Sequence, residues 1–209
     1  YNYDNRYMLD VVANYYGTSV LLEGDKFRFY PAVSAGWNIA NEAFLEDVSQ
    51  LDMLKLRASY GQIGDDNVNG RWLYMDTWNN GGSYRQALTG VDPAKSPYSW
   101  WQQSQLGNKN LQWEVATKLD IAADFALFGG VISGSFDYFK EKRSDILVTG
   151  DKRAVPSYFG ASAPVANLGK VDSQGFEFDV RWNKQLNRDW RLWGNASLTH
   201  ATSKIKEAD

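Results

Sequence analysis

Apolar and polar residues alternate with a period of two along much of this chain, the repeat expected of strands with one greasy and one polar face. From Phe27 to Ile39 the odd positions are Phe27, Phe29, Pro31, Val33, Ala35, Trp37 and Ile39, while the even ones run Arg28, Tyr30, Ala32, Ser34, Gly36 and Asn38. From Trp113 to Leu127, Trp113, Val115, Leu119, Ile121, Phe125 and Leu127 alternate with Glu114, Lys118, Asp120 and Asp124. That run is about fifteen residues long, well beyond the usual strand mode of about 5 to 6. Phe176, Phe178, Val180 and Trp182 alternate with Glu177, Asp179, Arg181 and Asn183, and weaker alternation covers Tyr7 to Tyr15, Leu54 to Tyr60, Ile132 to Tyr138 and Trp190 to Leu198. The pattern predicts about seven antiparallel strands.

The connections carry a second pattern. Gly17 to Lys26 is of moderate length, and Ala40 to Asp52 holds a predicted short helical turn at Asn41 to Leu45. Gln62 to Asn110 is very long, Phe128-Gly129-Gly130 is tight, Arg143 to Gly169 is long and Lys184 to Asp189 is short. Long and short connections alternate from the second half onward, as in an up-and-down barrel that turns tightly on one side of a membrane and loops out on the other. A soluble sandwich also alternates polar and apolar positions. Strand length, Trp and Tyr toward strand ends, and charges at several levels of one strand face favour the barrel.

Composition narrows the function classes. Rings make up 15% of the chain, with nine Trp, twelve Tyr and ten Phe, yet 22% of residues are charged, a mixture that suits a surface apolar on one side and wet on the other. The net charge of −3, with Lys and Arg scattered, gives no footprint for nucleic acid. Without cysteine there is neither a disulfide framework nor a thiolate metal site. No signal peptide is recognised at the start, and the longest uncharged stretch, Ala154 to Gly169, is broken by Pro156 and Pro164 and is too short for a spanning helix. Any membrane crossing is therefore made by strands.

Particular residues add a resemblance. Leu54-Lys55-Leu56-Arg57-Ala58-Ser59-Tyr60-Gly61-Gln62-Ile63-Gly64 resembles a signature barrel segment of SusC/RagA-type TonB-linked outer-membrane proteins. Tyr30-Pro31-Ala32-Val33-Ser34-Ala35-Gly36-Trp37 followed by Glu42-Ala43-Phe44 is similar to that family's Phe-Pro-Ser, Gly-Trp and Glu-x-Phe run. Asn110-Leu111-Gln112-Trp113-Glu114, Asp137-Tyr138-Phe139, Asp145-Ile146-Leu147 and Asn167-Leu168-Gly169-Lys170-Val171-Asp172-Ser173-Gln174-Gly175-Phe176-Glu177 follow in family order. Asn14-Tyr15-Tyr16-Gly17-Thr18-Ser19 departs from the family's Arg-x-Asp-Gly-Ser-Ser turn by lacking the Arg and Asp. The resemblance implies an all-β fold, part of a large transmembrane barrel of about 22 strands that seven cannot close alone. Residues 1–209 then form a partial receptor barrel, with extracellular loops at about 62–110 and 143–169 and with the plug and N-terminal parts absent from the sequence. It further implies a bacterial outer-membrane location, TonB-driven import of glycans or peptides, TonB acting through the plug, and a SusD-like surface lipoprotein as lid. The alternative is a soluble glycan-binding or structural, adhesive β-domain.

Candidate chemistry is sparse. His200 is the sole histidine and no nucleophile–base arrangement accompanies it, so no enzyme is expected. The long loop carries Trp72, Tyr74, Trp78, Tyr84, Tyr98, Trp100 and Trp101 among Asn79, Asn80, Gln102 and Gln103. Flat rings beside amides suit stacking on, and hydrogen bonding to, a sugar or peptide; the same rings serve equally for packing of the loop on itself, a lid or a plug. Asp65, Asn67 and Asn69 at positions 1, 3 and 5, Gly70 at 6 and Asp76 at 12 match the spacing of a calcium-binding loop, with Asp in place of the final Glu. The competing reading is a set of turn formers. No other cofactor is expected.

Overall fold

The computed structural model describes residues 1–45, 47–66, 70–80 and 101–208. In chain order the strands are β1 (Asn2–Tyr3), β2 (Tyr7–Gly17), β3 (Phe27–Asn38), β4 (Leu51–Asp65), β5 (Thr77–Asn80), β6 (Trp101–Gln105), β7 (Glu114–Leu127), β8 (Ile132–Val148), β9 (Ala166–Gln185) and β10 (Arg191–Glu207). Eight of them form one antiparallel sheet in the order β1-β2-β3-β4-β7-β8-β9-β10, and β5-β6 is a separate hairpin. Among the described residues the sheet is not closed, since β1 and β10 each have a neighbour on one side only. The seven long strands are those the alternation predicts.

Cross-strand partners share a face, so the register sorts the side chains. Met8, Asp10 and Val12 oppose Gly36, Ser34 and Ala32, while Leu9, Val11 and Tyr15 oppose Ala35, Val33 and Phe29. Carried across the sheet, one face gathers Leu9, Val11, Phe27, Phe29, Val33, Trp37, Leu56, Tyr60, Ile121, Phe136, Tyr138, Phe178, Trp182 and Leu198, all exposed. A water-facing wall would not leave so many large apolar side chains contiguous. From Trp37 to Phe27 the strand rises ~33 Å, or ~25 Å in height at a tilt of about 40°, the thickness of the apolar band of an outer-membrane barrel.

Strand glycines have a specific use here. Gly17, Gly134, Gly175 and Gly194 lie directly opposite Phe27, Phe125, Phe139 and Trp182 on the neighbouring strand. A Cβ at any of them would run into the partner ring. The ring lies over the bare backbone, covering it and letting the strand bend. Gly64 plays the same part for Tyr30, whose hydroxyl would collide with a Cβ there.

The two ends of the sheet differ. At the lower end the connection 39–50 is the longest and the one after β7 is tight: Phe128, Gly129 and Gly130 all take positive φ, and the turn is held by Phe128 N donating to Gln50 O (2.9 Å) and Gly130 N to Asp52 Oδ2 (3.0 Å). Around the helical turn predicted at Asn41 to Leu45, a 3-10 turn covers Ile39–Asn41 and a further turn closes with Leu45 N donating to Glu42 O (2.9 Å). Glu42 Oε1 accepts from Tyr7 Oη (2.6 Å) and Trp37 Nε1 (3.0 Å), and Arg6 Nη1 lies 3.6 Å from Oε2. The hydrogen bond from Tyr7, followed by that from Trp37, holds the Glu42 carboxyl below its ordinary range. At the upper end, Leu21, Tyr30, Leu111, Trp113 and Val115 form the main buried cluster, with Leu73, Tyr74, Leu147 and Val165 packed against it.

Three outcomes follow for the intact protein in detergent. Gly64→Ala is expected to unseat the Tyr30 ring and destabilise the barrel by about 1–3 kcal/mol. Tyr30→Phe is expected to be neutral, since the Tyr30 hydroxyl is buried without a partner among the described residues. The temperature at which the compact gel mobility is lost separates the two; equal losses would contradict the seat. Because the folded-state pKa of Glu42 is depressed, its contribution is full above the unfolded value of about 4.3 and fades as pH falls through the lower folded value. Glu42→Gln should therefore be less stable than the parent at pH 7 and converge with it in acid.

Candidate ligand-facing loops and inner wall

The second face of the sheet is polar and cross-braced. Arg57 on β4 donates from Nε and Nη2 to Asp124 on β7 (2.8 and 3.1 Å) and from Nη2 to Asp137 on β8 (2.9 Å). One guanidinium thus ties three strands, using the fork geometry that suits paired carboxylates. Higher up, Lys118 lies 3.3 Å from Glu141, and Arg143 pairs with Glu141 and reaches Glu114 at 3.4 Å. A cleft of about 420 Å³ beside this ladder is lined by Asp10, Ser34, Lys55, Arg57, Ser59 and Asp120 among others. Charged pairs at successive levels make this the wet, inward-facing wall of a barrel. The pairing was out of reach of sequence reading, because i to i+2 charge spacing marks the face and only the register names the partners.

Above the wall, the long connection is more ordered than a loop. The strand β4 continues past Gln62 to Asp65, and the predicted loop from Gln62 to Asn110 contains the hairpin β5-β6, whose strands are too short to show a period. The Arg143 to Gly169 loop likewise narrows to 149–165, because β8 runs on to Val148 and β9 starts at Ala166. The β8 extension passes through a bulge, with Asp145 at positive φ and its carbonyl accepting from Asn167 Nδ2 (2.7 Å).

The hairpin is tied down by amides and one carboxylate. Gln105 Nε2 donates to Trp72 O and Met75 O, both at 3.0 Å, and Asp76 Oδ1 accepts from Gly107 N (2.8 Å) and Gln103 Nε2 (3.3 Å). Asn108 Nδ2 donates to Val165 O (2.9 Å), joining this connection to the loop before β9, and Trp113 Nε1 donates to Asp25 O (2.9 Å), joining β7 to the loop after β2. Trp72 itself sits at φ 63°, a left-handed conformation costly for a bulky residue, held by Met75 N and Gln105 on its carbonyl.

The candidate ligand residues separate into groups. Trp72 and Tyr74 meet edge to face at 6.2 Å, with Trp72 56% exposed and Tyr74 packed against the buried cluster. Trp78 opposes Gln103 and Asn80 opposes Trp101, which puts Trp78 and Trp101 on one face of the hairpin at diagonal positions, 56% and 63% exposed. Tyr84, Tyr98 and Trp100 lie outside the described residues. A separate cleft of about 570 Å³ is lined by Asn79, Gln102, Gln103, Ser104, Gln105, Leu106 and residues 160–162 of the loop before β9. Among the described residues no ionisable side chain lines it, so it offers amides and the hydroxyls of Ser104 and Ser162 to an uncharged polar ligand.

Of the calcium candidates, Asp65 ends β4 opposite Glu114, and Asp76 points to Gly107 and Gln103. Asn67 and Asn69 lie outside the described residues. Among the described residues no three His, Cys, Asp or Glu side chains converge as metal ligands would. His200 lies on the apolar face beside Phe176, ring centres 5.6 Å apart.

Comparison with known proteins gives a consistent answer. A family model described as "TonB dependent receptor-like, beta-barrel" matches residues 1–209. The chain is 30% identical to TonB-dependent receptor P3 of Formosa agariphila over 94% of its own length and 18% of that protein. It is 28% identical to TonB-dependent receptor SusC of Bacteroides thetaiotaomicron over 96% of its own length and 19% of that protein. Among solved structures, a chain of the RagAB peptide transporter superposes with a TM-score of 0.81 at 18% identity, over 99% of this chain and 21% of that one. The chain thus spans about a fifth of the length of the relatives it matches.

Because Asp76 Oδ1 holds both Gly107 and Gln103, Asp76→Ala in the full-length receptor is expected to speed proteolytic cleavage within 66–113 severalfold while leaving the barrel's heat-shifted gel mobility unchanged. Unchanged cleavage would show that the hairpin stands without that carboxylate.

Proposed function

The chain belongs to the TonB-dependent receptor β-barrel family, and we propose that it forms a sector of the wall and outer loops of an outer-membrane importer of oligosaccharides or peptides. The observation that carries this is a single sheet with an exposed aromatic and aliphatic face about as tall as a bilayer core and an opposite face braced by ion pairs. The remaining strands of the receptor would complete the ladder at β1 and β10, and a plug inside the barrel would face the Arg57, Lys118 and Arg143 pairs. TonB would act on that plug. A surface lipoprotein of the SusD or RagB kind would close over the upper loops, where the hairpin stands. The family and its matched relatives are receptors, not enzymes, and this chain would contribute selectivity with no chemical step.

Trp78 and Trp101 would supply stacking surfaces, while Gln103, which shares their face of the hairpin, would supply a hydrogen bond to a hydroxyl or a peptide amide. Calorimetry on the purified full-length receptor with its lipoprotein, against panels of neutral oligosaccharides and of oligopeptides, tests the reading. Binding to one panel is expected, weakened about tenfold in the Trp78→Ala, Trp101→Ala double variant, given aromatic contributions of about 0.5–1.5 kcal/mol each. Absence of binding to both panels, or an affinity indifferent to the two tryptophans, would overturn it.

A further inference from the structure

The apolar face of the sheet changes character abruptly on its last three strands. Reading upward on β8, Phe136 and Tyr138 give way to Lys140 and Lys142; on β9, Phe178 and Phe176 give way to Gln174 and Asp172; on β10, Leu198 and His200 give way to Thr202 and Lys204. The register aligns these changes, for Tyr138, Phe176 and His200 form one row, Lys140, Gln174 and Thr202 the next, and Lys142, Asp172 and Lys204 the one above. From Trp182 to Asp172 along β9 the strand rises ~33 Å, or ~25 Å in height at a tilt of about 40°. The Lys142 to Lys204 row therefore falls at the upper edge of the apolar band, on the side of the long loops.

The charges there do not cancel. Of the acids on this patch, Asp172 lies 3.8 Å from Lys206 and Glu207 lies 2.7 Å from Lys170. Lys140, Lys142 and Lys204 have no acidic partner within salt-bridge distance among the described residues. Lys142 and Lys204 flank Asp172 on adjacent strands, so their Cα atoms are ~10 Å apart, and Lys140 is ~7 Å from Lys142 along the strand. Three ammonium groups on flexible stems can converge on one multiply charged oxyanion, and a lysine just above a ring row extends its stem over apolar surface to reach the headgroup level. No comparable group occurs on the first three long strands, whose upper apolar face carries Tyr15, Phe27, Phe29 and Tyr60.

We propose that Lys140, Lys142 and Lys204 form a binding site for the phosphate headgroup of an outer-leaflet lipid, fixing that lipid against the outside of β8–β10. This rests on the proposed outer-membrane placement of the wall. The occupant is a lipid rather than a free anion because the site adjoins the aromatic rows of Phe136, Tyr138 and Phe176, which would hold acyl chains below the headgroup.

The test is native mass spectrometry of the full-length receptor released from nanodiscs containing either phosphorylated lipid A or its dephosphorylated form. Wild-type receptor is expected to retain phosphorylated lipid, and Lys140→Gln, Lys142→Gln, Lys204→Gln to retain far less, with apparent affinity falling about fivefold per lysine. The corresponding Lys→Arg triple should retain it. Equal retention by wild type and the Gln variant, or of both lipids by wild type, overturns the site. So does full displacement by millimolar inorganic phosphate, which would make it a small-anion site. Compact, heat-shifted gel mobility in every variant confirms folding, and failure of wild type to enter nanodiscs would instead strike the membrane placement itself.

Discussion

Everything in this structure depends on the hydrogen-bond ladder that links neighbouring strands across the sheet, with bulges confined to the strand ends. In a lipid environment no water satisfies a backbone amide, so each strand must be paired along its whole crossing length. That requirement explains strands of 14 to 20 residues in β7 to β9 where soluble sheets use far fewer. It also makes register strict, because a slip of one residue would turn Phe136, Tyr138 and Ile121 inward and Asp137, Asp120 and Arg57 toward lipid. The ion pairs on the inner face are best seen as register pins: Arg57 meets Asp124 and Asp137 only in the observed alignment. Their solvent exposure limits what they add to stability but not their ability to penalise a misaligned wall.

The glycine seats reconcile that ladder with curvature. A strand glycine ordinarily weakens a sheet, yet Gly17, Gly134, Gly175 and Gly194 each lie under an aromatic ring from the adjacent strand. The ring covers the amide that the missing side chain would leave bare, and the missing Cβ leaves room for the ring. Three of these rings, Phe27, Phe125 and Trp182, belong to the apolar face, so the same contact that allows bending also supplies lipid-facing surface.

Most of the wall was legible in the sequence because lipid and lumen impose opposite polarities at successive residues. Phe27–Asn38 and Glu114–Leu127 were read almost to the residue, since most positions obey the alternation, with Tyr30 and Thr117 among the exceptions. The first half of β9 was not, because Ala166 to Gly175 lies near or above the apolar band, where Lys170, Asp172 and Gln174 are polar on the outer face too. The hairpin β5-β6 escaped for a different reason: four and five residues hold too few repeats for a period to register. Of the candidate ring cluster, chemistry alone marked Trp78 and Trp101, but only pairing reveals that they share a face while Tyr74 turns into the core. The amide-lined cleft needs two segments far apart in sequence, the hairpin and residues 160–162, and no local pattern could have joined them.

The location of the buried cluster carries the last step. In a membrane wall the strands need no hydrophobic core, because lipid covers one face and braced charges the other. Tyr30, Leu111, Trp113 and Val115 are nevertheless packed tightly with Leu21 at the upper end, where three long connections converge. A core there serves the loops: it anchors the chain after β2, the hairpin's base and the segment before β9 to the strand ends. Loop sequence can then change between relatives without disturbing the ladder, and the wall can drift in identity while keeping its binary pattern. A fold shared at such low identity is what that separation of duties allows.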